Sequence, residues 1–222
     1  MAHHLHSAME KLKRHLLSLC ALVEENVYGA VHAFEEGNAE LSRKVISKDD
    51  EIDRREVDLE EECLKMLALY QPVANDMRFI IAILKITNDL ERIGDLSVNI
   101  AERALYMSQV ERPEVPFSLY EMAEITRDML RKCLDAVVNG DAQLALKVCA
   151  MDDKVDAINR DIYDHIKGLM GESSNEITQL LSILSAARHL ERIADHATNI
   201  AEDVIYMIEG KIIRHRKGED AG

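Results

Sequence analysis

The sequence predicts an all-α protein, a tandem repeat of two three-helix bundles with six long helices. Three observations carry this expectation. Apolar residues recur at three- and four-residue steps almost throughout. The composition favours helices over sheets: 47% of residues are apolar, only 4% are aromatic, and there is no Trp. The chain also repeats itself.

The repeat is clearest between residues 88–107 and 188–207, which align without a gap. Leu90, Glu91, Arg92, Ile93, Asp95, Asn99, Ile100, Ala101, Glu102, Tyr106 and Met107 all recur unchanged in the second copy. An upstream match pairs Gly37 with Gly140, Leu41 with Leu144, Lys44-Val45 with Lys147-Val148, Asp49-Asp50 with Asp152-Asp153, and Asp53 with Asp156. The two registers differ by three residues, which places a loop of unequal length near residues 70–76.

The first helix is expected at about 5–35, carried by Leu12, Leu16, Leu19, Val23, Val27, Ala30 and Phe34. The second follows at about 39–70, separated from the first by Gly37. The third spans about 73–109, started by Pro72 and lined by Ile86, Leu90, Ile93, Ile100, Ala104 and Met107. Pro113 and Pro116 mark a linker, dividing the chain into 1–112 and 113–222. The second half repeats the pattern at about 117–138, 141–169 and 174–210, with Gly140 as separator and Ser173, Ser174 and Asn175 as N-cap candidates. Short connections make neighbouring helices antiparallel, and the halves are expected side by side about a pseudo-twofold axis.

The formal net charge of −14 argues against a nucleic-acid surface and against nonspecific docking on an anionic membrane. It fits a cation-binding protein or one that meets a basic partner. Cys20, Cys63, Cys133 and Cys149 form no Cys-x-x-Cys pair and read as reduced core or boundary residues. The amino terminus has no apolar signal core, and its histidines read as a disordered end. The expected location is cytoplasmic, with membrane association only through partners.

The repeated segment carries the candidate chemistry. Glu91, Asp95, Asn99 and Glu102 form one polar stripe along a helix, opposite the apolar residues, and Glu191, Asp195, Asn199 and Glu202 repeat it. Like charges one turn apart destabilise a helix by about 0.2–0.5 kcal/mol, yet the pair stands in both copies. Rows of carboxylate and amide oxygens suit a divalent cation. On the second helix, Asp49 and Asp53 match Asp152 and Asp156, and these acids either complete the site or stabilise a helix N-terminus. Arg92 and Arg192 are expected to pair with nearby acids, and His189 and His196 to be incidental. Three readings are weighed: a divalent-metal protein, a metal-free helical docking module whose acidic surfaces meet a basic partner, and a di-iron carboxylate enzyme. The last needs Glu-x-x-His motifs, and no His here has Glu three residues before it. No phosphate-binding Gly-rich loop or nucleophile motif stands out either.

Leu-Glu-Arg-Ile-Gly-Asp at 90–95 and Leu-Glu-Arg-Ile-Ala-Asp at 190–195 resemble the paired Glu/Asp-x-x-x-Asp motifs of the PhoU family. Gln71 to Arg78 resembles that family's Gln-Pro-x-Ala-x-Asp-Leu-Arg segment, and residues 199–215 resemble its carboxyl end. The resemblance implies a PhoU-like fold and a non-enzymatic regulator of phosphate uptake and phosphate-starvation signalling. Its implied partners are a phosphate ABC transporter ATPase and a phosphate-sensing histidine kinase, with a homodimer as the common assembly. It also implies divalent metal (iron, magnesium, manganese or zinc). Carried over by position, the ligands would be Glu91, Asp95, Glu191 and Asp195, with Asn99 and Asn199 as weaker candidates. Ala194 departs from the pattern, standing where the first copy has Gly94.

Overall fold

The computed structural model describes residues 2–111, 115–172 and 176–211. The Pro113 linker residue, the N-cap candidates Ser173, Ser174 and Asn175, and residues 212–222 lie outside them. The described residues form eight helical segments: α1 (Ala2–Glu36), α2 (Ala39–Ser47), α3 (Asp49–Tyr70), α4 (Ala74–Met107), α5 (Phe117–Asn139), α6 (Ala142–Cys149), α7 (Asp152–Glu172) and α8 (Ile177–Glu209). No helix among them is long and apolar enough to cross a membrane.

The six expected helices are all present, but the second of each half is broken. At Lys48 the backbone N–H turns back to Val45 O at 3.1 Å, and Met151 does the same to Val148 O at 2.9 Å. These are tight i→i−3 closures that end one helix and start the next at once. No Pro or Gly marks either break. The consequence is positional: Asp49 and Asp152 each become the first residue of a new helix. The amino-terminal residues, expected to be disordered, instead extend α1 back to Ala2.

The connections between the first and second helices follow the sequence signals. Gly37 and Gly140 take left-handed φ values of 68° and 62°, which a residue with a Cβ adopts only under strain. Asn38 and Asp141 follow as N-caps, accepting hydrogen bonds from Leu41 N at 3.0 Å and from Gln143 N at 2.9 Å.

In the first half, α1 and α3 pack on α4; in the second, α5 and α7 pack on α8. The two long central helices, α4 and α8, then pack on each other and join the halves. Lys85 Nζ reaches Asp203 Oδ1 at 3.2 Å, and His196 Nδ1 lies 2.7 Å from Asp89 Oδ1. Rising numbers on α4 meet falling numbers on α8, so the pair is antiparallel. Ile83, Ile86, Leu90, Ile93, Ile183, Leu190, Ile193 and Ile200 are buried in one apolar core shared by both halves. Each such side chain contributes about 1.5–3 kcal/mol by leaving water.

Candidate metal centre: two acidic clusters related by the repeat

The clusters start from the helix breaks. Starting α3 at Asp49 puts Asp49, Asp50 and Glu51 in its first turn, where the helix dipole favours negative charge. Asp53 follows one turn later on the same face. Close packing of α3 on α4 then brings in Asp95. Gly94 allows this approach: a Cβ there would stand 3.1 Å from Ile52 Cγ2. In the second half Ala194 supplies that Cβ, and the equivalent of Ile52 is the shorter Val155; both are fully buried. The departure at Ala194 is thus matched by a smaller neighbour, which preserves the approach.

One oxygen from each of Asp49, Asp53 and Asp95 falls within 4.8 Å of the others, and Asp152, Asp156 and Asp195 converge in the same way. The Asp residues of the second helix therefore face the acidic stripe, which the sequence alone left open. At this level the stripe lies beside α3 and α7, while Asp53 and Asp195 remain exposed. Glu91 and Glu191 stand beside the clusters, half-buried. Asn99 and Asn199 lie one turn further along α4 and α8, also half-buried.

The electrostatics follow from this crowding. Burial, then the carboxylates of Asp53, Asp95 and Asp50, push the Asp49 carboxyl up to about 6. Burial and Asp95 raise Glu91, opposed by Arg92. Burial, Asp195 and Asp156 raise Glu191, opposed by Arg188. Two buried oxygens of the first cluster, Asp49 Oδ1 and Glu91 Oε2, have no hydrogen-bond partner. Arg92 Nε approaches Glu91 Oε2 only to 3.4 Å, and Arg92 Nη1 reaches Asp95 Oδ2 at 3.2 Å. Buried carboxylate oxygens without donors are costly unless a cation or donor meets them. Hard oxygen donors from three or four carboxylates match the demands of a divalent ion, so the residues present fit such an ion.

The halves differ in their surroundings. In the second, Thr198 Oγ1 donates to Asp152 Oδ1 at 3.4 Å, and Asp152 is only 7% exposed. Val98 occupies the equivalent place in the first half. Glu56, raised by burial, Glu60 and Glu91, adds an acid beside the first cluster, whereas the second has Asn159 at that position. Arg92 pairs with its cluster as expected, but Arg192 forms no ion pair among the described residues. Sequence reasoning passed over Glu56 and Thr198 because neither recurs in the other half. A signal for Glu56 was available, since it follows Asp49 and Asp53 by seven and three residues and shares their helix face. His196, expected not to be a metal ligand, bridges the two central helices through Asp89.

The family model described as the PhoU domain matches this chain twice, over residues 16–104 and 119–204. The phosphate-specific transport system accessory protein PhoU homolog of Pseudomonas putida is 38% identical, covering 97% of this chain and 86% of that protein. The homolog of Aquifex aeolicus is 39% identical over 96% of this chain and 97% of its own. The PhoU protein of Escherichia coli is 31% identical over 96% and 88%. The crystal structure of PhoU from Pseudomonas aeruginosa superposes with a TM-score of 0.90 at 38% identity, covering 93% of this chain and 99% of that one. A duplicated match of sequence and fold over nearly the whole length leaves one assignment: the chain belongs to the PhoU family.

Proposed function

We propose that the protein is a non-enzymatic regulator of phosphate uptake and phosphate-starvation signalling, with a divalent cation held at each acidic cluster. The observation that carries the regulatory part is the near full-length kinship to proteins named as accessory to a phosphate-specific transport system. The orphaned oxygens of Asp49 and Glu91 carry the metal part. In this reading the protein links a phosphate ABC transporter ATPase to a phosphate-sensing histidine kinase through its helical faces. It acts in the cytoplasm as a homodimer and performs no bond chemistry. Bound cations of the iron, magnesium, manganese or zinc kind tie α3 to α4 and α7 to α8 by offsetting carboxylate repulsion. The converging acids are Asp49, Asp53 and Asp95 in one half and Asp152, Asp156 and Asp195 in the other. Glu91 and Asn99 in the first half, and Glu191 and Asn199 in the second, lie one helical turn from Asp95 and Asp195 and would complete the shell of their own cluster or orient its water.

The test is genetic. Deleting the gene is expected to switch on phosphate-starvation genes in high phosphate, and the wild-type gene to restore repression. Normal repression in the deletion strain would overturn the regulatory assignment. A complementing variant with Asp53→Asn, Asp95→Asn, Asp156→Asn and Asp195→Asn separates the two parts. Full repression by a variant that no longer holds metal would leave the regulator standing, with its acidic faces acting as metal-free docking surfaces.

A further inference from the structure

Beside its acidic cluster the second half has a groove whose lining carries more positive charge than the equivalent positions of the first half. In the second half the groove lies between α7 and α8 and has a volume of about 580 Å³. Arg160 enters from α7, and Arg188 and Arg192 enter one turn apart from α8. Tyr163 and Asn159 line it with a phenol and an amide. At the equivalent positions the first half has Val57, Asn88, Arg92, Glu60 and Glu56. Relative to the second half, these positions replace two of the three guanidiniums by neutral side chains and both neutral donors by carboxylates.

The three arginines are also unspent. Arg92 in the first half pairs with Glu91 and Asp95. Arg160, Arg188 and Arg192 form no ion pair within 4.0 Å among the described residues, although the chain is acidic overall. Glu191 and Asp164 are the carboxylates on the groove wall. Glu191 interacts most strongly with Asp195 and Asp156 of the cluster behind it, and with Arg188 only from beyond ion-pair distance. Drift on a solvated surface scatters charge; here three unpaired guanidiniums converge on one concavity in an otherwise negative molecule.

We propose that the groove between α7 and α8 of the second half is an anion site that takes the phosphoryl group of a small molecule through Arg160, Arg188 and Arg192. A guanidinium offers planar pairs of N–H donors that match phosphate oxygens two at a time. Forks from two helices surround three oxygens better than the two of a single carboxylate. The hydroxyl of Tyr163 and the amide of Asn159 add neutral donors on the α7 side. The volume lies within the range of about 300–1,000 Å³ usual for small-ligand clefts, so it accommodates free phosphate or a larger phosphorylated molecule. The site does not depend on metal in the neighbouring cluster, because the arginines belong to the groove wall and not to the acid triplet.

Calorimetric titration of the full chain at constant ionic strength tests this, with inorganic phosphate, pyrophosphate and ATP as probes and sulfate as the comparison. Each titration is run once with chelator and once with Mg²⁺. The variants are Arg160→Ala/Arg188→Ala, Arg160→Lys/Arg188→Lys, and Arg43→Ala/Arg54→Ala as a control of exposed arginines outside the groove. Saturable one-to-one binding is expected for at least one phosphoryl probe and more weakly for sulfate. The alanine pair should weaken it at least about tenfold and the lysine pair less, while the control leaves it unchanged. Binding by inorganic phosphate alone identifies the free ion as the ligand; stronger binding by pyrophosphate or ATP identifies a larger phosphorylated molecule. The proposal is overturned by no saturable binding in either condition, by equal losses in the control, or by sulfate binding as tightly as every phosphoryl probe. Binding that needs Mg²⁺ and survives the alanine pair also overturns it, since the anion would then sit on the metal. The variants alter exposed side chains, and unchanged helical melting confirms that they remain folded.

Discussion

The first and second acidic clusters share three aspartates and a neighbouring glutamate, yet they differ in almost everything around them. The first has Glu56 close by, a valine at position 98, and oxygens of Asp49 and Glu91 with no hydrogen-bond partner. The second has Asn159 instead of Glu56, and Thr198 donating to Asp152. The first is therefore more negative and less satisfied by the protein itself. Arg92 offsets part of this, but it is half-exposed and its pairings are screened by water. The lesson is that duplication kept the donors of the clusters and released their surroundings. The first half is left with the more negative cluster and the second with the arginine-lined groove.

The largest expected effect breaks the packing that both clusters rest on. Gly94→Ala in the first half pushes a Cβ against Ile52, an overpacking cost of about 1–3 kcal/mol. Better helix propensity returns at most about 1 kcal/mol of this. Adding Ile52→Val reproduces the second half's Ala194 and Val155 and should recover the loss. Urea melts of the single and double variants measure it, and additive losses would contradict the matched-pair explanation.

Exchange of the surroundings is next. Glu56→Gln should weaken divalent binding at the first cluster severalfold, while Asn159→Glu strengthens the second. Competition with a fluorescent chelator reads both, and equal affinities in all three proteins would remove the role given to Glu56. A smaller effect appears in the pH dependence of chelator-treated protein. The folded-state value of Asp49 is raised to about 6, above the usual carboxylate range. Between about pH 4 and 6 the folded protein thus binds protons that the unfolded chain does not, and stability falls as pH rises through that window. The melting temperature should be higher at pH 5 than at pH 7, and Asp49→Asn should flatten the difference. The smallest effect is at the bridge between halves: His196→Gln should cost no more than about 1 kcal/mol, because one partly buried hydrogen bond is lost.

Much of the fold was legible because helical periodicity and an ungapped repeat report directly on core-facing residues. Leu90, Ile93 and Ile100, named from spacing, are fully or almost fully buried. The breaks at Lys48 and Met151 were not legible, because a tight turn inside a helix needs no special residue when Asp49 and Asp152 follow and favour a new N-terminus. The aspartates of the clusters were legible by their recurrence. Their convergence was not, since it depends on how closely α3 approaches α4, and that is set by Gly94 and Ile52 together. Thr198, Glu56, Arg160 and Arg188 stayed hidden for the opposite reason: they are where the copies differ. The bridge made by His196 was not legible because its partner, Asp89, lies 107 residues away on another helix.

Divalent cations at both clusters are what the proposed function requires. The most direct measurement is the Mn²⁺ stoichiometry of dialysed protein, by elemental analysis, for the wild type, Asp53→Asn/Asp95→Asn and Asp156→Asn/Asp195→Asn. The account predicts cation at both clusters in the wild type, loss of the tighter-bound fraction in the first variant and of the weaker-bound fraction in the second. No bound Mn²⁺ in the wild type, or undiminished binding in both variants, would contradict it.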